Sequence, residues 1–437
     1  MAKPISSNRH SLVKAIQKFF PSQFFAHLKV FKKTTLWTPQ RIVFFGLLMM
    51  WDCEKTLGHR FAAVRDVLKS LFPKWKLGTE YQGWCDAQLT YIHAVQPALA
   101  KRLRGQMQQG AGKYWLREGR CAFAADGSRV ECPHSAANKE GLGCAGKKKT
   151  GPQLFLTTLW HMGTGLPWDY RIGPGTASER HHLRDMLSDL PAQSLVVADA
   201  GFTGYDLLRA ISQAGHSFLV RVGSNVHLLE ELGYVEWQGP TTVYLWPEKH
   251  HAKQPPVVLR LLIIERGKEK MHLVTNVFDE KALTQEQAAI FYEMRWGVEI
   301  FYRSCKHTMD RRRMLSRTPE TCKAELHWVV MSIWLLGAMS LSAIMKGGGD
   351  PLSWSVALAR KHVRAAMRDA LRGGKQRIDV SACLAGAVKD SYERTGSKKA
   401  HDWPHKKKEK PPGAPKIRLA NSQEIKSAKR LLLKKAA

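Results

Sequence analysis

Two carboxylates close short apolar stretches of this chain. Asp126 stands in Ala124-Ala125-Asp126-Gly127-Ser128, and Asp199 in Val196-Val197-Ala198-Asp199-Ala200-Gly201-Phe202. The runs before them read as strands, and Leu195–Ala198 is unbroken enough to be buried on both faces. Both acids are therefore expected at the carboxyl ends of strands, where open α/β sheets build their sites. The glycines that follow let a ligand come close to the backbone. Two carboxylates converging there suit a hard divalent cation such as Mg²⁺. A single strand-end aspartate equally serves as a turn or cap residue.

A predicted helix from Thr284 to about Met309 sharpens this reading. Thr284 and Gln287 form a capping box at its start. At about 100° per residue, Tyr292, Arg295, Glu299 and Lys306 share a stripe roughly 60° wide. Phe291, Met294, Val298, Phe301 and Cys305 make a separate apolar face. The helix thus buries one side and presents an acid, two bases and a phenol along the neighbouring edge. Gly297 in mid-helix costs about 1 kcal/mol against alanine, which points to close approach by a strand or a ligand.

The elements that must hold these residues can be read along the chain. Residues 1–115 are expected to be a helical DNA-binding region. Leu57, Phe61, Val64, Leu68 and Leu71 mark one helix face ending before Pro73, and Leu89, Ile92, Leu99 and Leu103 mark another, kinked near Pro97. Residues 116–346 are expected to hold the chemistry. They include a Gly/Lys-rich loop over 136–152, a hairpin of Leu154–His161 with Leu166–Ile172, and a helix opened by a Thr176/Glu179 capping box and running to about Leu190. A helix over Thr203–Ala214 and a strand over Ser217–Val222 continue an alternating α/β pattern. Residues 223–282 break that pattern with successive β segments at Thr242–Trp246, Val257–Ile264 and Met271–Val277, a β-rich insertion. A basic helical region over 350–395 and a mostly disordered cationic tail over 396–437, helical near Gln423–Lys435, complete the chain. The last 40 residues hold 13 Lys/Arg against 3 Asp/Glu.

Composition narrows the class further. The 437 residues carry 68 Lys+Arg against 37 Asp+Glu, a formal charge of 68 − 37 = +31. Such an excess implies a polyanionic partner, most often nucleic acid, and disfavours a small-metabolite enzyme. The length suits about two to four domains of 100–200 residues. The eight cysteines show no C-x-x-C pair and no zinc-finger spacing, which suggests free thiols in a reducing compartment. No secretory signal is visible. Ile42–Trp51 is too short to span a bilayer, and Leu326–Ile344 reads as a buried core helix although it nears the spanning length of about 18 residues. A cytoplasmic, nucleoid-associated protein with no membrane partner is expected.

Tyr292-x2-Arg295-x3-Glu299-x6-Lys306, preceded by the Asp126-Gly127-Ser128 and Asp199-Ala200-Gly201-Phe202 boxes, resembles the Y-R-E-K signature of the DDE transposases of bacterial insertion-sequence family four. The resemblance covers about 121–345 and includes a β-rich insertion between the second aspartate and the glutamate. It implies a ribonuclease H-like mixed sheet with flanking helices. Asp126, Asp199 and Glu299 would be the catalytic residues and the ligands of two Mg²⁺ ions, with Mn²⁺ as substitute. Tyr292, Arg295 and Lys306 would contact DNA phosphates near the cleaved end. The activity implied is cut-and-paste transposition: binding of the element's terminal inverted repeats in double-stranded DNA, hydrolysis, and joining of 3′-hydroxyl ends to target DNA, with a homodimer bridging two ends.

Other basic and aromatic residues are weighed against blander roles. Arg311 and Arg312, with Arg313, are a phosphate-binding patch or a solvated run. Lys147–Lys149 form a possible loop contact. Trp237 and Trp246 are candidates for stacking an extruded base, against a packing role. His181 and His182 read as surface residues, and Ser128 as a turn residue rather than a nucleophile. Three other functions compete: a domesticated metal-dependent DNA endonuclease, a catalytically silent DNA-binding protein and, more weakly, a membrane-surface protein suggested by the basic tail and the apolar helix.

Overall fold

Caps and periodicity decide the N-terminal elements. In the computed structural model, which describes residues 10–28, 35–144, 151–235, 239–251, 253–266, 269–372, 378–389 and 412–436, α1 (Ser11–Phe19) begins where the His10 ring accepts the Leu12 N–H. After the short α2 (Ser22–Ala26), α3 (Pro39–Trp51) starts on the Thr38 hydroxyl with Pro39 in its first turn. The next helix, α4 (Leu57–Leu71), starts on the Thr56 hydroxyl and buries Phe61, Val64, Leu68 and Leu71, the face expected from their spacing. A 30-residue α5 (Tyr81–Gly110) continues through Pro97.

The central elements follow the expected alternation with local differences. Strand β1 (Ala122–Glu131) does not stop at Asp126 but runs on through Ser128, which is a strand residue and not a turn. Residues 136–142, expected as loop, form α6 (Ala136–Leu142), because the Ser135 hydroxyl caps the Asn138 N–H. Lys147–Lys149 and Trp237 lie outside the described residues. Strands β2 (Gln153–His161) and β3 (Leu166–Pro174) make the expected hairpin. Helix α7 (Glu179–Met186) begins at Glu179 itself, so Thr176 and Glu179 do not form a capping box, and the helix ends short of Leu190. Then come β4 (Leu195–Ala198), α8 (Tyr205–Gln213) and β5 (Ser217–Arg221).

The stretch between β5 and the signature helix holds four strands, β6 (His227–Glu230), β7 (Thr242–Leu245), β8 (Val257–Arg266) and β9 (Glu269–Thr275). Helix α9 (Gln285–Met294) opens on the expected Thr284/Gln287 capping box. The single helix expected to about Met309 is instead interrupted at Arg295, continues as α10 (Trp296–Arg303), and widens into a π turn over Ser304–Thr308. After α11 (Pro319–Lys346), α12 (Val356–Leu371) and α13 (Val380–Ala385) comes a further difference. Within the tail expected to be mostly disordered, residues 412–436 hold a strand that was not expected, β10 (Lys416–Leu419), and α14 (Ser422–Ala436), where a helix near Gln423–Lys435 was expected; the rest of the tail lies outside the described residues.

The chain divides into two units. The first comprises Met1–Leu116, Gly127–Ser178 and Gly297–Lys389; the second comprises Arg117–Asp126, Glu179–Trp296 and Asp390–Ala437. In the first, α11 is the central helix, packed by α3, α5, α12 and α13. It is long and apolar enough to cross a membrane, yet 89% of its most apolar 18-residue window is buried. Its surroundings are fitted to it: a Cβ at Gly46 of α3 would lie 2.4 Å from the Trp328 ring. The Trp51 indole donates to the Ser332 carbonyl at 3.2 Å, and the Trp328 indole to Gln88 Oε1 at 2.7 Å.

The second unit is built on a mixed sheet in the order β10-β6-β7-β8-β9-β5-β4-β1. The starting residues of β1 pair in parallel with β4, which pairs in parallel with β5. Strand β9 joins β5 antiparallel, β8 and β7 continue antiparallel, and β10 closes the far edge parallel to β6. Helices α8 and α9 pack on this sheet. The architecture is mixed α/β with flanking helices, a β-rich insertion and helical N-terminal elements, as expected.

Candidate active site

The register of the second unit aligns the expected acids. Ala125 of β1 pairs with Ala198 of β4, and Ala198 pairs with Val220 of β5. One residue further along these three parallel strands stand Asp126, Asp199 and Arg221. Neighbouring strands lie about 4.8 Å apart and register-matched residues face the same side, so the structure brings the two aspartates together with a guanidinium beside them. Asp126 and Asp199 are half-buried.

Local chemistry fixes the Asp199 turn. Its Oδ1 accepts the Gly201 N–H at 2.9 Å and caps the short turn Ala200–Phe202. Gly201 lies close to two carboxylates: a Cβ there would lie 2.6 Å from Glu179 Oε1 and 3.0 Å from Asp199 Oδ1. Arg180 Nε donates to the Gly201 carbonyl at 2.7 Å. Glu179, read from the sequence as a capping residue, belongs to this site.

Tyr292 and Arg295 join the same unit. The Arg295 guanidinium lies 5.4 Å from the centre of the Tyr292 ring, and both residues are buried. Burial pushes the Tyr292 phenol above its ordinary value of 10.0; Arg295, Arg221 and a hydrogen bond donated by Arg221 oppose that rise, and Asp199 adds to it. Sequence reasoning missed Arg221. The signal was a cation closing the strand after the second aspartate, but only the register gives it a face.

The remaining signature residues belong to the first unit. Glu299 is half-buried in the first turn of α10. Gly297 is explained by close approach, since a Cβ there would lie 2.1 Å from the Trp160 ring of β2. Lys306, in the π turn, donates to the Ser128 hydroxyl at 2.8 Å. Arg311 departs from expectation. It is 1% exposed, its Nε lies 2.7 Å from Glu325 Oε1, and it donates to the Met309 and Asp310 carbonyls. Arg311 is thus engaged by protein partners rather than displayed with its neighbours; Arg312 and Arg313 are exposed. Trp246 is structural, with its indole N–H held by the Gln254 carbonyl at 2.8 Å and its ring against His251.

Among the described residues, no group of three or more His, Cys, Asp or Glu side chains forms a ready-made metal cage. The donor chemistry nonetheless fits Mg²⁺, which is commonly held by one or two carboxylates, with water and substrate phosphate completing its shell. Half-buried carboxylates at Asp126 and Asp199 match that pattern.

Two acids on adjacent parallel strands, Asp126 within β1 and Asp199 just past β4, with Arg221 on the next strand, mark this as a mixed α/β domain with a carboxylate-lined sheet. The chain belongs to the transposase DDE domain family, whose model matches residues 117–335; membership in that family implies dependence on divalent metal. The chain is 27% identical over 199 residues to transposase InsG for insertion sequence element IS4 of Escherichia coli strain K12. The match covers 43% of this chain and 44% of that protein, so it spans less than half the length of the curated relative. Among solved structures, the piggyBac transposase synaptic complex with hairpin DNA, determined by cryo-EM, aligns over 92% of this chain and 91% of its own at 10% identity and a TM-score of 0.43. A likeness that loose carries no argument.

Proposed function

We infer that this protein is a cut-and-paste DNA transposase. It binds the terminal inverted repeats of its element in double-stranded DNA, cleaves there, and joins the 3′-hydroxyl ends to target DNA. The observation that carries this reading is the alignment of Asp126 and Asp199 on adjacent parallel strands with Arg221 in the next strand. Glu299 is the third carboxylate. Together these acids would hold two Mg²⁺ ions, with Mn²⁺ able to substitute. The ions when bound supply charge neutralisation, activation of the attacking water or 3′-hydroxyl, and stabilisation of the leaving oxygen.

The chain's own side chains do the positioning. Arg221, Arg295 and Lys306 grip phosphate oxygens, which Arg does by a planar fork and Lys as a point charge. Tyr292 orients its two guanidiniums and donates its phenolic proton to a phosphate oxygen. Arg312 adds an exposed cation. The helical N-terminal elements contribute further DNA contacts, and a homodimer in the DNA complex brings two ends together. The working location is the bacterial cytoplasm, at the nucleoid. The domesticated endonuclease differs by lacking strand transfer, and the silent DNA-binding protein by lacking cleavage.

The test is a labelled duplex carrying the DNA that flanks the gene, incubated with Mg²⁺ and either the wild-type protein or Glu299→Gln. We expect discrete cuts at a repeat end with the wild type, and end binding without cutting for Glu299→Gln. Cutting by Glu299→Gln at the wild-type rate would remove Glu299 from the catalytic set. Cutting without end joining would favour the endonuclease.

A further inference from the structure

Resting on the reading of Lys306 as a phosphate contact, we propose that Arg360, on the basic helix α12, is a positioning residue for that lysine. Lys306 lies in the π turn over Ser304–Thr308, where the helix is one residue wider per turn. Directly after it the chain reverses at Asp310, whose φ of 54° is a left-handed conformation uncommon for a residue with a side chain. Carbonyls at such a helix end lack partners from the helix and need them from elsewhere.

Arg360 supplies them from outside the helix. It is 6% exposed. Its Nη1 donates to the Thr308 carbonyl and to Asp310 Oδ2 at 3.2 Å. Its Nε donates to the Trp51 carbonyl at 3.2 Å and its Nη2 to the Asp52 carbonyl at 2.6 Å. Trp51 and Asp52 are the C-terminal end of α3. One rigid guanidinium therefore ties the end of the signature helix to the end of an N-terminal helix, using four acceptors that a lysine could not span. All these groups belong to the first unit.

The geometry gives Arg360 an indirect role. Its guanidinium is committed to four protein acceptors, so it is no phosphate contact itself. It grips Thr308 and Asp310, and Lys306 reaches Ser128 from the same turn. The neighbourhood is otherwise cationic. Arg60, 2% exposed, donates to the Glu54 and Met49 carbonyls, and its pKa is pushed down to about 10 by burial and then by Arg311 and Arg360, with Asp52 and Asp310 opposing. Several guanidiniums concentrated around two helix ends indicate that these ends are fixed rather than frayed.

The test uses the full-length chain with Arg360→Gln, Asp310→Asn and, as a positive control, Ser128→Ala. The first readout needs no DNA: acylation of Lys306 by a water-soluble succinimidyl ester, resolved by mass spectrometry. Several-fold faster labelling of Lys306 is expected in all three variants, with other lysines unchanged. The second is the salt dependence of end binding. Lys306→Ala should flatten its slope by about one unit. Arg360→Gln should do the same and add nothing in the Lys306→Ala background, as coupled sites require. Folded variants that label Lys306 at the wild-type rate, or additive losses in the double variant, would overturn the proposal. Asp310→Asn keeps the test open if Arg360→Gln does not fold, because the Asp310 side chain is 60% exposed. If labelling rises in the Arg360 variant while Lys306→Ala itself leaves the salt slope unchanged, positioning stands and the phosphate-contact reading fails.

Discussion

Tyr292 shows how one side chain is defined by its neighbours. Its phenol is buried, accepts a hydrogen bond from Arg221, and lies under the Arg295 guanidinium. Because its pKa is raised above 10.0, it stays protonated across the neutral range and remains a donor. DNA cleavage should therefore show no pH limb from this phenol below pH 10, and Tyr292→Phe should not change the shape of the pH–rate profile. The rate itself should fall about ten- to a hundredfold, since a hydrogen bond to a charged group contributes about 1.5–3 kcal/mol. A wild-type rate in Tyr292→Phe would place the phenol outside the site. At this scale the sequence was legible where a residue's role depends on nearby chain: Asp126 and Asp199 follow apolar runs whose strands could be read. It was silent on Arg311, because that residue lies outside any helix and the partner that buries it, Glu325, stands on α11. Arg221 stayed hidden for a similar reason, since register across three strands is not a local property.

The helix carrying the signature was legible in its start but not in its path. The Thr284/Gln287 capping box is local chemistry and stands in the structure. The interruption at Arg295 and the π turn at Ser304–Thr308 depend on what packs against the helix, which periodicity cannot report. Gly297 is intermediate: its presence signalled close approach, and Trp160 of β2 is what approaches. Gly297→Ala should gain about 1 kcal/mol of helix propensity and lose about 1–3 kcal/mol to overpacking. We expect a lower melting temperature, partly restored by Trp160→Leu. A higher melting temperature in Gly297→Ala would mean that the indole can move aside. The short strands β6 and β10 went unread because each has only four residues, and β10 sits in a cationic stretch whose composition alone reads as disorder.

The excess of 31 positive charges was the clearest whole-molecule signal, and it pointed to nucleic acid before any motif did. The tail is not merely a reservoir of that charge. Strand β10 covers the edge of β6, with the Lys416 N–H donating to the Val226 carbonyl and the Ala420 N–H to the Glu230 carbonyl, each at 2.9 Å. An uncovered edge is a template for association between chains. Deleting residues 412–437 should therefore cause concentration-dependent self-association, seen by light scattering, beyond any loss of DNA affinity. A truncated protein that stays monodisperse with an unchanged melting temperature would show that the strand is dispensable.

The division of the chain into two interleaved units has a consequence for its biosynthesis. The first unit needs residues from Met1–Leu116 and from Gly297–Lys389, and the second needs Arg117–Asp126 together with the segment that includes β10. Neither can be completed while the ribosome is still translating the middle of the message. Each unit therefore waits for its last segment, and a premature stop codon before residue 390 leaves the second unit unfinished.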